Sequence, residues 1–492
     1  MRSAFWKKLD KSNEIFFVGL LSLIWLVLRT GLKPSRALYP CQRAAMANSY
    51  LWATTCALSL VSKGREGIGS IGRKKFLAVV IVFVIIGAGA WWNVGVKKAP
   101  ERNTELILTG RLSSSRSASD VFVVWNTSGN DGGVGELVNL MGSHGLLFYK
   151  STTQGDNKGP TGLIANDDII IVKVNSQWDE RGGTNTDLLK ALIECIVNHP
   201  DGFTGEIVVA DNGQAQYGSS GNGGSLGWSR NNAEDRSQSV EKVVGMFSGR
   251  YRVSTYLWDA ITTKQVSEYD VNDMEDGYVV NSTINPRTKI MVSYPKFRTR
   301  FGTYVSFKFG VYDAEARTYH SERLKVINVP VLKSHSIYGV TASVKSYMGV
   351  LSDRLTSMLG ARSHNTVGRG GMGTEMAETR FPILNILDAI WVNAVPNAGP
   401  KTSYDRASRV NLIAASTDPI ALDYWAAKHV LLELARSKGH GETASIDPDN
   451  TDSGSFGNWL RLSMQEIRMK GHLATCDESQ MNVYVTQLRS AK

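Results

Sequence analysis

The chain has 492 residues, of which 42% are hydrophobic and 20% are charged, a composition typical of globular proteins. This excludes a disordered, collagen-like or coiled-coil protein, and four cysteines are too few for a disulfide-built scaffold. The net charge of +10 comes from the N-terminal fifth, since residues 1–102 hold 16 Lys and Arg against 4 Asp and Glu, and the remainder holds 39 against 41. A near-neutral body disfavours binding to a phosphate backbone, so nucleic acid is not an expected partner.

Three uncharged stretches predict a membrane region over residues 1–98 with one to three spans. The best span is residues 76–96, which are almost wholly apolar and carry lysines at both ends; a buried core helix is the alternative. Residues 15–28 are too short to cross a bilayer as a helix, and polar side chains dilute residues 44–62. The spans predict a location at the cell membrane, and the Lys and Arg counts beside them favour an orientation with the C-terminal domain outside the cytoplasm. Other pairings of one or two spans would reverse that orientation.

The body follows a linker at residues 99–120 and comprises residues 121–492. Apolar runs predict strands that alternate with a helix at 186–198, and this order is typical of a parallel sheet with right-handed crossovers. Residues 278–328 contain several strand-like runs separated by polar turns and predict a β-rich insertion. The predicted fold class is therefore α/β: a mostly parallel sheet with flanking helices, a β-rich insertion and an N-terminal transmembrane region.

The second half of the body carries three further expectations. Small residues at close spacing predict a helix over 338–351, and residues 361–378 are Gly-rich and predict a loop. Residues 419–435 predict an amphipathic helix that begins at Pro419, with Asp418 as its N-cap.

Polar residues at the ends of predicted parallel strands are the first candidates for a site, because ligands of such sheets bind beyond the carboxyl ends of the strands. Lys173 and Asn175 end the strand DIIIVKV, where an unpaired lysine would be costly to bury. Asp211 follows the strand EIVVA and is a candidate metal ligand. A tight turn at Asp211-Asn212-Gly213 explains that carboxylate equally well.

A second cluster lies in the run VPVLKSHSIYGVTASVKSYMGVL, residues 329–351. Lys333 and Lys345 are placed to clamp an anionic ligand, and His335 is able to transfer protons near neutral pH. The alternative for Lys345 is a solvated helix face. Its neighbours Val344, Tyr347 and Met348 leave little polar face, which favours a functional role.

Asp418 and Asp423 form the last acidic candidates. Helix capping alone would explain Asp418, whereas Asp423 lies among apolar residues and is harder to explain as a surface side chain. No two cysteines have CxxC spacing, so a self-contained iron–sulfur cluster is not expected.

These clusters resemble the DUF362 family, a prokaryotic domain family of undefined biochemical role. Its members carry Pro-x-Leu-Lys-Thr-His followed by Val-Thr-x-x-x-Lys-Asn and Gly. The matching positions here are Pro330, Leu332, Lys333, Ser334, His335, Val340, Thr341, Lys345, Ser346 and Gly349. Ser334 replaces the family's Thr, and Ser346 replaces its Asn.

Two other stretches extend the resemblance to roughly residues 168–432, and Tyr39–Ala45 is similar to extensions of some membrane-attached relatives. The early stretch implies a ligand-binding role for Lys173, Asn175, Thr184 and Asp187. The stretch near the end of this range adds Asp388 to the two acidic candidates Asp418 and Asp423. Some relatives carry ferredoxin-like cysteine clusters that suggest redox work, but this chain lacks those cysteines.

The leading hypothesis is a membrane-anchored protein with an enzyme-like site for an anionic or metal-bound small ligand. Lys173, Lys333 and Lys345 would hold the anion, and His335 would transfer protons. Asp211, Asp388, Asp418 and Asp423 would supply oxygen ligands to a divalent metal such as Mg²⁺ or Mn²⁺. The alternatives are a membrane-tethered scaffold that binds another envelope protein, and a redox partner that borrows an iron–sulfur cluster from another subunit.

Overall fold

A computed structural model describes residues 118–214, 223–357 and 362–488. The predicted membrane region at 1–98 and almost all of the predicted linker at 99–120 lie outside the described residues. The described residues contain seventeen strands. They are β1 (Ser119–Trp125), β2 (Tyr149–Lys150), β3 (Lys158–Gly159), β4 (Ile169–Lys173), β5 (Glu206–Asp211), β6 (Val253–Leu257), β7 (Gly277–Ile284), β8 (Met291–Arg298), β9 (Tyr304–Ser306), β10 (Gly310–Asp313), β11 (Thr318–His320), β12 (Leu324–Asn328), β13 (Val331–His335), β14 (Gly339–Thr341), β15 (Leu384–Asn393), β16 (Ser408–Ser416) and β17 (Met481–Gln487).

Ten of these strands form the main sheet, in the order β17-β1-β16-β15-β12-β4-β5-β6, with β13 beside β15 and β14 beside β13. Strands β15, β12, β4, β5 and β6 pair in parallel, as do β13 with β15 and β1 with β17. Among the described strands of this sheet, β16 and β14 pair antiparallel with their neighbours. The sheet is therefore mixed, with a parallel centre.

Helices cover both faces of this sheet. They are α1 (Gly133–Ser143), α2 (Thr186–Val197), α3 (Val240–Phe247), α4 (Ser343–Ser346), α5 (Gly371–Glu378), α6 (Pro419–Ala426), α7 (Glu433–Ser437) and α8 (Phe456–Met469). A π-helical turn at Ala427–Leu432 joins α6 to α7. The predicted N-cap of α6 is confirmed, because one Asp418 oxygen accepts the amides of Ile420 and Ala421.

The alternation of side chains along β4 explains why there are two hydrophobic cores. Ile170 and Val172 point to the core that contains the apolar residues of α1, α2 and α3. Ile169 and Ile171 point to the opposite core, which contains residues of α5, α6 and α8. Lys173 is two residues beyond Ile171, so its side chain leaves the strand on this second face.

The β-rich stretch forms a separate five-stranded antiparallel sheet, in the order β11-β10-β9-β8-β7. Its apolar residues, among them Tyr278, Phe297 and Phe307, belong to the same core as Ile169 and Ile171. This second sheet therefore packs on the face of the main sheet from which Lys173 projects.

The predicted fold class needs correction in one part. Across the described residues, no helix is both long enough and apolar enough to cross a membrane. The three apolar stretches behind that expectation lie outside the described residues. The fold is accordingly a mixed α/β fold with flanking helices.

Two local predictions are also wrong. The helix expected over 338–351 is instead the strand β14, the single turn α4 and a 3-10 turn at Tyr347–Gly349. Gly339 adopts φ +74°, a left-handed conformation suited to glycine, and β14 pairs with β13 in place of a helix. The Gly-rich stretch expected as a loop contains a 3-10 helix at Ser363–Arg369 and then α5.

Candidate functional site

Lys173 and Asp211 lie at the carboxyl ends of the neighbouring strands β4 and β5. Lys173 Nζ is 2.8 Å from Asp211 Oδ1 and also donates to the Val174 carbonyl at 2.8 Å and to Ser346 Oγ at 3.0 Å. The other Asp211 oxygen accepts the amide and the hydroxyl of Ser176. Burial lowers the pKa of Lys173, and the adjacent Asp211 charge opposes that shift. Both charges are buried and matched.

Gly349 seals this ion pair. A Cβ atom at this position would lie 2.0 Å from Asp211 Oδ1 and 2.8 Å from Lys173 Nζ. The backbone of the 3-10 turn can therefore approach the pair only because residue 349 has no side chain.

Lys333 reaches the same region from β13. It pairs across the antiparallel strands with Thr341 of β14, and such partners present their side chains on the same face. Lys333 Nζ donates to the carbonyl of Gly182, and its side chain is 1% exposed. Thr341 is 4% exposed, and its Oγ1 has no hydrogen-bond partner among the described residues.

Lys345 lies on α4, and Asp423 fixes that short helix in place. The two Asp423 oxygens accept the amides of Ser343 and Val344 at 2.7 and 2.9 Å. Asp423 thus caps the turn that carries Lys345, although it comes from α6. Burial raises the pKa of this carboxyl to about 7, and the two amides counteract the shift.

Two histidines lie close to Lys345. His364 Nε2 is 3.2 Å from Lys345 Nζ, and the rings of His364 and His335 are 6.0 Å apart. His335 Nδ1 accepts the amides of Ile337 and Tyr338, so the proton of the neutral ring resides on Nε2. Burial and the charge of Lys345 hold the pKa of both imidazoles far below the ordinary value, and both rings are therefore neutral near pH 7.

These groups surround a small pocket of about 40 Å³. Five of the predicted site residues line it: Lys173, Asn175, Asp211, Lys333 and Lys345. His335 does not line it, and the imidazole that does is His364. The remaining polar lining comes from Gln177, Asn212, Gln214, Thr341, Ser346, Asp353 and Arg362.

The charged groups of the pocket are only partly paired with opposite charges. Within the described residues, neither Lys333 nor Lys345 forms an ion pair. The nearby Asp353 is engaged by Arg362 and by the amide of His364. Burial lowers the pKa of each of the two lysines to about 7, and the charge of Lys345 adds to the shift at Lys333.

The four predicted metal ligands do not come together. Asp211 pairs with Lys173, and Asp423 caps α4. Asp418 caps α6 with one oxygen and accepts from Ser119 and Thr475 with the other. Asp388 accepts the amides of Asn185 and Ile390 and the side chain of Asn232. Within the described residues, no three His, Cys, Asp or Glu side chains are grouped to hold a metal ion.

Two other predicted ligand-binding residues are engaged in hydrogen bonds within the fold. Thr184 accepts the amide of Asn175 and donates to the Val329 carbonyl. Asp187 accepts from the amide of Glu234 and the side chain of Gln238. Neither residue lines the pocket.

Sequence reasoning overlooked His364 and gave Thr341 no role of its own. The pairing of Lys333 with Thr341 follows from a strand register that the predicted helix concealed. His364 comes shortly after residues 358–361, which are not among the described residues. No spacing in the sequence relates His364 to Lys333 or Lys345. A lone histidine in a Gly-rich stretch therefore gave no usable signal.

One curated relative can be compared with the chain. It is a "Thylakoid-associated protein" of Synechocystis sp., which is 32% identical over 129 residues. The alignment covers 24% of this chain and 39% of the relative, so the chain matches well under half of the relative's length. No solved structure matches the chain.

A protein family also matches part of the chain. The matched segment contains Lys333, His335, Lys345, Asp388, Asp418 and Asp423, whereas Lys173, Asn175, Thr184, Asp187 and Asp211 precede it. The match is thus narrower than the resemblance over residues 168–432. Membrane attachment, which was part of that resemblance, is not shown. Residues 303–428 match the family described as "Domain of unknown function (DUF362)".

Proposed function

We propose that the pocket binds a small anionic ligand through Lys333 and Lys345, as an enzyme-like site. The observation that carries this proposal is that two buried lysines line one pocket of about 40 Å³ without an ion-pair partner among the described residues. An anion would supply the missing partner.

The energetics support this assignment. Moving an ammonium group out of water costs several kcal/mol, and a buried charge is normally offset by a partner charge and by hydrogen bonds. Lys333 has one carbonyl acceptor, and Lys345 has a neutral imidazole. A bound carboxylate or phosphate group would pair with both ammonium groups and would also accept a hydrogen bond from the unpartnered Thr341 hydroxyl.

The volume bounds the part of the ligand that enters the pocket. A pocket of about 40 Å³ holds roughly three water molecules. It therefore suits a carboxylate or phosphate group, or a molecule with few further atoms. The arrangement favours a small anion over a polymer.

The test is calorimetric titration of the full chain with inorganic phosphate and with acetate at pH 6.5. Wild-type protein is compared with Lys333→Met and Lys345→Met. We expect one site per chain and at least about a tenfold loss of affinity in each variant, because a charge-assisted hydrogen bond contributes about 1.5–3 kcal/mol.

Lys190→Met is the matched control, because Lys190 lies on the surface of α2, where its ion pair within the described part of the chain is with Glu194. This variant should bind as wild type does. Wild-type protein that binds neither anion, or pocket variants that bind as well as wild type, would contradict the proposal.

The metal-bound form of the ligand remains a prediction. Metal analysis of the same protein by mass spectrometry tests it, with Asp423→Asn in parallel. Because Asp423 accepts two amides of α4, loss of a metal in this variant supports the prediction only if the variant remains folded.

We also propose that the protein associates with a membrane. The support is the name of the relative, which describes that protein as thylakoid-associated. Flotation of the full chain with vesicles of zwitterionic and anionic phospholipid tests this. Protein that stays at the bottom of the gradient would contradict it.

A further inference from the structure

The two pocket lysines differ in what surrounds their amines. Lys333 Nζ donates to a backbone carbonyl, whose oxygen stabilises an ammonium group. Within the described residues, the only polar side-chain or backbone contact of Lys345 Nζ is the imidazole of His364 at 3.2 Å. Its other close neighbour is the Tyr338 ring, whose centre is 5.4 Å away.

Two ammonium groups in one small buried pocket repel each other, so an empty pocket retains one proton more readily than two. The carbonyl of Gly182 favours retention of that proton on Lys333. Lys345 is then the amine that gives up its proton, although the charge of Asp353 favours its retention. A lysine that is desolvated beside another cation is a recognised arrangement for a nucleophilic amine.

We propose that Lys345 forms an imine with the carbonyl carbon of a small 2-oxo acid, whose carboxylate is held by the Lys333 ammonium. This inference rests on the anion site proposed above and names its substrate class. A two- or three-carbon oxo acid has few enough atoms for the volume of the pocket.

The step balances without another reactant. The lone pair of Lys345 Nζ attacks the carbonyl carbon, and the π electrons move to the oxygen to give a carbinolamine. Both amine hydrogens then leave with that oxygen as water while the C=N bond forms. His364 is placed to pass a proton from nitrogen to oxygen, and the Thr341 hydroxyl is available to donate to the oxygen.

The experiment treats the full chain with glyoxylate or pyruvate in the presence of sodium borohydride, which reduces an imine to a stable secondary amine. Intact mass and peptide mapping then locate the adduct. We expect one adduct per chain, located at Lys345, and no such adduct in Lys345→Arg, which keeps a long polar side chain but not the nucleophilic amine.

Lys333→Met should lower the rate of adduct formation by about tenfold or more, because the carboxylate loses its partner. Lys190→Met should leave the rate unchanged. Mapping on wild-type protein does not depend on whether any variant folds.

The outcomes separate this inference from the anion site. If acetate binds to the wild-type chain but borohydride leaves Lys345 unmodified, the imine is refuted and the anion site stands. If neither acetate nor oxo acid binds, both are refuted. An adduct at Lys333, or equal labelling of Lys345 in urea-unfolded protein, would also overturn the inference.

Discussion

Three buried lysines line one pocket, and within the described part of the chain the charge of one of them is paired whereas the charges of the other two are not. Lys173 has three oxygen acceptors, one of them the carboxylate of Asp211. Lys333 and Lys345 are also buried, but among the described residues each has a single hydrogen-bond partner, and that partner is uncharged. A matched buried charge is explained by the fold alone, whereas an unmatched one leaves a free-energy cost that a ligand can offset.

The largest expected effect breaks the matched pair. Lys173→Met should lower the free energy of unfolding by about 3–5 kcal/mol, because it leaves the buried Asp211 carboxylate without its cation. Denaturant unfolding measures the change. The double variant Lys173→Met/Asp211→Leu should recover part of the loss, since no unpaired charge remains. If the single variant is as stable as wild type, the ion pair does not contribute to the stability of the fold.

For the two lysines without an ion pair, the free energy of unfolding is expected to change in the opposite direction. Lys333→Met or Lys345→Met should raise the free energy of unfolding by about 1–4 kcal/mol in anion-free buffer, because an apolar side chain of similar length replaces a buried cation. The same unfolding measurement checks this, with Lys190→Met as the surface control. Destabilisation by either pocket variant would mean that its charge is matched in a way that the contacts do not reveal.

The contrast between these lysines also shows which features of the site could be predicted from the sequence. The parallel centre of the sheet follows from the apolar runs of β4 and β5, and the rule about strand ends selects Lys173 and Asp211 as candidates, which the structure places side by side. Whether two such residues serve a ligand or each other depends on side-chain contacts across the sheet. No pattern in the sequence reports those contacts.

The acidic candidates teach the same lesson. Asp423 lies among apolar residues, and that placement is hard to explain for a surface side chain. The structure shows its oxygens accepting two amides of α4, a helix that the sequence merged into a longer one. Capping across two helices is a tertiary contact, so only the cap within one helix, Asp418, was accessible to prediction.

A smaller loss is expected from the glycine that covers the matched pair. Gly349→Ala should cost about 1–3 kcal/mol, because its Cβ would overlap Asp211 Oδ1 and the turn must shift. Gly135→Ala, in α1, is the control, since a Cβ there meets nothing within 4 Å. The control should be neutral or slightly stabilising. Equal stability of the two variants would indicate that the turn adapts without disturbing the pair.

The shallowest effect is a pH dependence contributed by the two unmatched lysines. The pKa of Lys333 and of Lys345 falls to about 7 in the native protein, mainly through burial, from 10.5 in an unfolded chain. Between these values the unfolded chain binds more protons, so stability should rise with pH above about 7. The slope contributed by each lysine is at most about 1.4 kcal/mol per pH unit. Below pH 7 both states are protonated, and the full cost of burial remains.

Other groups near the pocket do not obscure this window. The other charged or titratable groups around the two lysines are Lys173, Asp211, His335, Asp353, Arg362, His364 and Asp388. Burial also lowers the pKa of Lys173, but Lys173 is present both in wild type and in the Lys333→Met/Lys345→Met variant, so its contribution cancels in their difference. Burial raises the pKa of Asp388 and of Asp423 to about 7, so their contribution lies below that pH, and both histidines remain neutral in the native protein. The difference in unfolding free energy between wild type and Lys333→Met/Lys345→Met, measured from pH 7 to 10, therefore isolates the lysines. A difference that does not change with pH would mean that both amines keep ordinary pKa values, and the contrast with Lys173 would lose its electrostatic basis.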